Sequence, residues 1–555
     1  MRSSILHRAG GYATMQDRRI RRTHNVDRNW ILAGGAVLAA AAGLAYGRSL
    51  ANGFVYDDTK VILEARAPRS VASFARIFAE RHFYNLPYYR PITRATLLGQ
   101  KALHGDEPAL FHAVNVVLAA GVAFLAFLLL RLPVFGLPPP AALAAAALFL
   151  LHPVASSCVY PVSSGRETLM PTAWMIAAVL CWIKDRKRAA WALFAGALLC
   201  KESAVVTPAL FVLADLTLHP PPRRGRWLAR YWPALVVLAA YFAIRHWLFG
   251  GGEYQAGSPK GFALSYLYAV QTLFVPFVEL RYEPGVAQWL SPARAVPALL
   301  AAAAVAVMLW RKRDPRALFW AGWFAVLLLP TANVIRQEAA FDERYVFPAS
   351  LGLFAMLAVA APPRPWTFAA AALLAAAAGG ISFARSSSFA DDIAFSSQWL
   401  RTNPAAFNAL YNLGMAYDRL GMRAEAVAAY RETIRLQPKL ADARNNLGKS
   451  LLELGARDEA EASLREAVRL NPNLGVAWVN LGALLVDSGR AAEAAAALNE
   501  GLRLLPRYAP AHFYLGMALE QTGRLTEARS SYRRAAALDP LHEEARRRLE
   551  RLDSR

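Results

Sequence analysis

The 555-residue chain has few cysteines, three in all, and Asp, Glu, Lys and Arg make up only 18% of it. Cys158, Cys181 and Cys200 lie in or beside apolar runs. They show neither metal-ligand spacing nor the pattern of a disulfide framework, and they read as small hydrophobes. Acidic residues are scarcer than basic ones, 40 against 62, a formal charge of +22. From Pro404 onward the balance is 22 basic to 19 acidic, so nearly all the excess lies upstream, in short loops between apolar runs. That is the positive-inside pattern of a membrane protein. Nucleic-acid binding would place basic charge on the soluble part, and no nucleic-acid partner is expected.

What the chain does have is apolar length: 56% of its residues are hydrophobic. Crossing the ~30 Å hydrocarbon core takes roughly 20 apolar residues. Candidate spans are 31–48, 111–131, 141–159, 167–183, 230–249, 294–310, 317–334, 345–361 and 366–383. The run 189–216 lies between Lys184-Asp-Arg-Lys-Arg188 and Arg223-Arg-Gly-Arg226 and reads as two short spans turning at Lys201-Glu202, since a charge pair at mid-membrane is costly. The first 30 residues carry seven Arg and two Asp, which places the N-terminus in the cytoplasm. Run 31–48 is longer than a typical signal-peptide core and shows no clean small-x-small cleavage site, so it reads as an uncleaved span. Counting from there puts the basic loops 184–188, 223–230, 311–316 and 362–365 in the cytoplasm, provided 262–280 lies on the outer face without crossing. The sum is about eleven crossings in an inner or plasma membrane, with the C-terminus extracytoplasmic.

The C-terminal part repeats every 34 residues. Pro404, Pro438, Pro472, Pro506 and Pro540 keep that spacing, as do Gly414, Gly448, Gly482 and Gly516, each preceded by Leu. Gly421, Gly455, Gly489 and Gly523 keep it too, as do Ala426, Ala460, Ala494 and Ala528. This is the tetratricopeptide pattern, two antiparallel helices per unit, and such units stack into a solenoid with a concave binding face. Asn412, Asn446 and Asn480 occupy one position in successive units, with Tyr514 in the fourth. They form either a ladder of amides for an extended acceptor peptide, as in the repeats of nucleocytoplasmic O-linked N-acetylglucosamine transferase, or merely tolerated polar residues. Together the parts make an all-α protein: a basic cytoplasmic segment 1–30, a polytopic helical domain 31–385 with an extracytoplasmic loop 50–108, a linker or helix 386–403, and four repeats with a capping helix at 404–555.

Chemistry-bearing motifs cluster at span ends. They are Val55-Tyr56-Asp57-Asp58, Tyr89-Arg90-Pro91, Phe111-His112 with Asn115, His152-Pro153-Val154, Arg166-Glu167, Lys201-Glu202 and Asp342-Glu343-Arg344-Tyr345. The topology puts His152, Arg166, Lys201 and Arg344 at outer span ends, on the same side as Asp57 and Asp58. Taken singly each has a plainer reading: a double Asp as a turn or helix cap, an Arg at a span end as a snorkelling anchor, a His-Pro as a helix terminator. In order and spacing, followed by the repeats, the set resembles the transmembrane and tetratricopeptide-repeat-containing O-mannosyltransferases (the TMTC group), within the GT-C-type polyprenyl-phosphate-dependent membrane glycosyltransferases. Residues 250–293 depart from the pattern, which bears on the acceptor-side loop.

The resemblance implies an inverting transfer of a sugar from a polyprenyl-phosphate donor to an acceptor hydroxyl at the extracytoplasmic face. Such chemistry needs a carboxylate base, here Asp58 or Asp57, with Asp58 preferred. It also needs cations where charge grows on the leaving phosphate, here Arg344 first, then Arg90, Lys201 and Arg166, with His152 alongside. The implied partners are the lipid-linked sugar, membrane lipid and a protein or peptide acceptor on the concave face. No metal-ligand cluster stands out and no cofactor is required, although a divalent cation is not ruled out. Two other readings stay open: a non-catalytic membrane-anchored scaffold that recruits periplasmic proteins, and transfer to a glycan or lipid.

Overall fold

The structure is a computed structural model that describes residues 28–82, 88–218, 227–250, 259–276, 291–331 and 342–554. Most of the basic N-terminal segment, the loop Arg223–Arg226, half of 250–293 and the end of the expected outer-face helix lie outside the described residues. The chain divides into two compact units, Met1–Gln398 and Trp399–Arg555.

The described residues of the first unit form helices joined by turns and short loops, with no strand among them. Proline sets many of its helix starts: Pro91, Pro108, Pro139, Pro153, Pro292, Pro315 and Pro365 each open one. The ring fixes φ at a helical value, and the missing N–H is one that a first turn leaves unpaired anyway. Within the described residues, the expected crossings fall on helical segments; the end of 317–334 lies outside the described residues. Among the described residues, six helices are long and apolar enough to span alone: Arg28–Ala51, Pro108–Leu130, Ala229–Phe249, Pro292–Lys312, Glu343–Ala360 and Pro365–Phe389. A seventh span results if Pro139–Leu151 and Pro153–Val159 count as one, but these meet at a 58° bend. The bend replaces the straight span expected over 141–159. His152 leaves helical geometry (ψ 139°) and caps the second segment, because the residue before a proline is pushed out of the α region. The run 189–216 breaks at Lys201 as expected, into Lys187–Cys200 and Thr207–Thr217 joined by a 3₁₀ turn, Glu202–Val206. Residues 259–274 form a helix.

Leu235, Trp247, Leu299, Leu300 and Trp310 expose their side chains on two of the long helices. Such faces suit hydrocarbon rather than water. The chain is an integral membrane protein carrying a repeat array.

The second unit pairs Phe407–Arg419 with Arg423–Leu436, Ala441–Glu453 with Arg457–Leu470, Gly475–Asp487 with Ala491–Leu504, and Ala509–Gln521 with Leu525–Leu538, then ends in Glu543–Asp553. Two sets of glycines make the pairing possible. Gly421, Gly455, Gly489 and Gly523 have φ between 73° and 81°, the left-handed residue that ends a helix. A Cβ on Gly414, Gly448, Gly482 or Gly516 would lie within 2.5–2.6 Å of Tyr430, Leu464, Leu498 or Tyr532 on the second helix of the same pair. Ala426, Ala460, Ala494 and Ala528 are fully buried. A further periodicity closes the turns. Arg444, Trp478 and His512 each bond the carbonyl of the proline six residues before, Pro438, Pro472 and Pro506. Replacing Gly482 by Val is therefore expected to destabilise the array by roughly 1–3 kcal/mol through overpacking, read as an earlier helical melting transition by circular dichroism. An unchanged transition would contradict the close packing.

Candidate active site

Asp58 and Asp57 follow the first helix, and the structure gives them different tasks. Asp58 is fully buried. Its Oδ1 accepts from the Ser163 amide and hydroxyl, both at 2.6 Å, and its Oδ2 accepts from the amides of Val55 (3.2 Å) and Val162 (3.1 Å). Val162 and Ser163 open the helix Val162–Ile183, so Asp58 places a carboxylate on the N-terminal dipole and on two amides that no helical turn satisfies. Asn115 braces the same start, reaching the carbonyls of Pro161 and Val162 at 3.1 Å each. Gly165 lets that helix lie against Cys158, whose carbonyl would be 2.2 Å from any added Cβ.

Asp57 is half-buried. Its carboxyl is pushed up to about 7, first by desolvation, with Glu167 and Asp58 adding to the rise and Arg344 and Lys60 opposing it. The sequence preferred Asp58 as the base; the structure gives that carboxylate four hydrogen bonds from the protein itself.

Glu167 is the hub of the neighbouring charges. His82 Nε2 lies 2.5 Å from its Oε1, Arg90 pairs with its Oε2, and Lys201 Nζ is 4.0 Å from that same oxygen. Arg90 also pairs through Nε and Nη2 with both oxygens of Glu202 and lies 4.4 Å over the Tyr88 ring. Lys201 and Arg344 flank the Tyr345 ring at 5.8 and 5.9 Å. Asp342 holds Arg344 through Nε at 2.6 Å and caps its helix. Glu167, Lys201, Arg344 and Tyr345 line a narrow cleft together with Thr168, Thr172, Ser203 and Thr331 and with the apolar Pro171, Met175, Leu327 and Pro348. Its wall thus combines charged, hydroxyl and apolar side chains.

Glu167 and Arg344 act on Asp57 electrostatically, and Arg90, Lys201 and Arg344 belong to this one cluster. Arg166 does not. It is buried, and its guanidinium reaches Asn115 Oδ1, Gln100 Oε1 and the Phe111 carbonyl, so it ties helices together. His152 also lies apart, its Nδ1 accepting from the Val154 amide and its Nε2 facing the Leu273 carbonyl. His112 Nε2 faces the Gly53 carbonyl. Asn446 and Asn480 point at neighbouring side chains: Asn480 Nδ2 donates to Asn445, Asn445 to Asn446, and Asn446 to the Tyr411 hydroxyl, at 2.9–3.1 Å. Among the described residues no group of three or more His, Cys, Asp or Glu is placed to hold a metal.

Sequence reasoning missed two residues. Arg385 ends the last apolar helix and forms a buried bidentate pair with Glu343, at 2.6 and 3.1 Å, while also reaching the Pro153 carbonyl. An arginine there reads as a membrane anchor, and only the acidic partner in the Asp-Glu-Arg run hinted otherwise. Asp392 accepts the Tyr56 amide at 2.6 Å; no pattern in the linker marked it.

Fold and site together define a polytopic helical membrane protein with a buried charged cleft and a repeat array. The tetratricopeptide repeat family model matches residues 411–474 and 479–543. Over 214 residues, 32% of this chain and 29% of the relative, the chain is 29% identical to the protein O-mannosyl-transferase TMTC4 of Homo sapiens. Over 205 residues, 33% of this chain and 23% of the relative, it is 30% identical to the protein O-mannosyl-transferase Tmtc1 of Drosophila melanogaster. The resemblance to the TMTC group is thus borne out over about a third of the chain, which spans under a third of these relatives' length. A solved tetratricopeptide-repeat protein with an unusual peptide-binding site, YrrB, is 25% identical over 28% of this chain and 79% of its own, with a TM-score of 0.25.

Asp58→Asn would turn an amide donor toward backbone donors in a buried site. The expected cost is roughly 3 kcal/mol, seen as a lowered unfolding temperature in detergent, while Asp57→Asn leaves that temperature nearly unchanged. Equal temperatures for wild type and Asp58→Asn would contradict the anchoring role.

Proposed function

We propose that the protein is a membrane glycosyltransferase that moves a mannose-like sugar from a polyprenyl-phosphate donor to a hydroxyl of a protein acceptor at the extracytoplasmic face. The observation that carries this reading is a cleft in which Lys201 and Arg344 stand among Pro171, Met175, Leu327 and Pro348, with Arg344 also acting electrostatically on the Asp57 carboxyl. Lipid phosphate has the matching chemistry, an anion at the end of a hydrocarbon chain. The names of the curated relatives point to the same activity.

In this mechanism Asp57 takes the proton of the acceptor hydroxyl as its oxygen attacks the anomeric carbon. The bond from that carbon to the phosphate oxygen breaks, the configuration inverts, and lipid phosphate leaves with the bonding pair. Charge grows on the phosphate, where Lys201 and Arg344 stabilise it more than in the ground state. Arg90 acts indirectly by holding Glu167 and Glu202. The basic runs Lys184–Arg188 and Arg311–Arg316 support a cytoplasmic side for those loops and an extracytoplasmic array. The array then holds an extended acceptor, with Asn412, Asn446 and Asn480 as contacts for its backbone.

A base must be ionised to act, so transfer is expected to rise with pH through about 7 and to fall away below it. Asp57→Asn should lower transfer of mannose from polyprenyl-phosphate mannose to a Ser/Thr-rich peptide by roughly 10²- to 10⁴-fold without loss of folded protein. Full transfer by this variant would remove Asp57 from the chemistry.

Changing Asn412, Asn446 and Asn480 together to Ala should weaken binding of that peptide to the full chain by about tenfold or more, a loss of about 1.4 kcal/mol. Unchanged affinity in a fluorescence-anisotropy titration would remove the amide row from acceptor binding.

A further inference from the structure

The backbone around Asp57 is held in an unusual conformation from an unexpected direction. Tyr56 has φ 56°, the left-handed region that a bulky residue rarely enters and holds only when its surroundings impose it. Three described non-glycine residues share that sign, and of them only Tyr56 adjoins the charged cluster. What holds it comes from 336 residues downstream, in the segment between the last apolar helix and the repeats. Asp392 Oδ1 accepts the Tyr56 amide at 2.6 Å, and its Oδ2 faces the Thr59 hydroxyl at 3.5 Å. The Ala390 carbonyl accepts the Gly53 amide at 2.6 Å, and Asn52 Nδ2 donates to the Ser386 carbonyl at 3.2 Å. The Phe395 ring lies 5.9 Å from that of Tyr56. Asp392 itself is buried.

We infer that Asp392 is a positioning residue: by holding the Tyr56 amide it fixes the left-handed turn that aims the neighbouring Asp57 carboxylate at the acceptor hydroxyl. The inference rests on Asp57 being the base. Asp392 does not touch the reacting atoms; it acts through one peptide unit, on a turn pinned from the other side by the Asp58 bond to Val55. Without the Tyr56–Asp392 bond, that unit relaxes toward negative φ and swings Asp57 away from the groups that set its surroundings: Arg344, Lys60, Glu167 and Asp58. A displacement of about 1 Å in a reacting group costs on the order of 100-fold in rate.

The test compares D57N, D392A, D392N and Y56G in the full chain in detergent, using polyprenyl-phosphate mannose and a Ser/Thr-rich peptide. D392A is expected to lower kcat by about 100-fold with little change in the KM for donor, and to move the acidic limb of the pH profile away from wild type. D392N keeps an oxygen for the Tyr56 amide and should recover most of the loss. Glycine enters the left-handed region without strain, so adding Y56G to D392A should also restore rate. A merely structural Asp392 would lose folded protein without moving the limb, and Y56G would not rescue it. If D57N is inactive while D392A keeps the wild-type rate and pH limb, the positioning role is wrong. If D392A does not fold, a D392N rate as low as that of D57N would overturn the role. If D57N keeps full activity, the base assignment itself falls.

Discussion

The buried carboxylate of Asp58 is the constraint on which the membrane unit depends. It joins the loop after the first helix to the start of Val162–Ile183, and that helix carries Arg166 and Glu167 on its next turn. A buried charge is tolerable only when its acceptor sites are filled, and here two backbone amides, a third amide from its own loop and a hydroxyl fill them. The consequence is positional. With Asp58 locked at the helix start, the neighbouring Asp57 falls under the charges of Arg344 and Glu167. Two adjacent residues of one chemical type thus meet different surroundings. Glu167, delivered by the helix that Asp58 caps, then orders His82, Arg90 and Lys201 around itself.

Much of this was readable in the sequence, for physical reasons. The 34-residue period was legible because helix pairing allows no side chain at Gly414, Gly448, Gly482 and Gly516, and because a left-handed residue must close each first helix. The apolar spans were legible because hydrocarbon thickness sets their length. The break at Lys201 followed from the cost of burying two charges in lipid. The division of labour between Asp57 and Asp58 was not legible: both are carboxylates in one loop, and only three-dimensional contact tells which is saturated. Arg166 and His152 looked like phosphate ligands because span-end cations and histidines often serve that way. Their ring and guanidinium nitrogens instead meet carbonyls, an amide and side-chain oxygens that no local pattern reveals. Arg385 and Asp392 find partners 42 and 336 residues away, beyond the reach of any periodicity.

The array shows how a repeat can be regular in scaffold and irregular in surface. Gly, Ala and Pro recur because each unit repeats the same packing problem. The Asn446 and Asn480 amides, by contrast, join Asn445 and Tyr411 in a hydrogen-bonded chain across three units. An acceptor backbone drawing on these amides would have to compete with, or extend, that chain. The chain of amides ties three successive units together.

The central claim is that the cleft at Lys201 and Arg344 receives the phosphate of a lipid-linked sugar. A structure of the full chain in lipid nanodiscs with a polyprenyl phosphate would test it most directly. The expected result is a phosphate in contact with Lys201 and Arg344, with the hydrocarbon chain passing Met175, Leu327 and Pro348. A headgroup seated beside Arg166 or His152 instead, with the Lys201–Arg344 cleft empty, would contradict it.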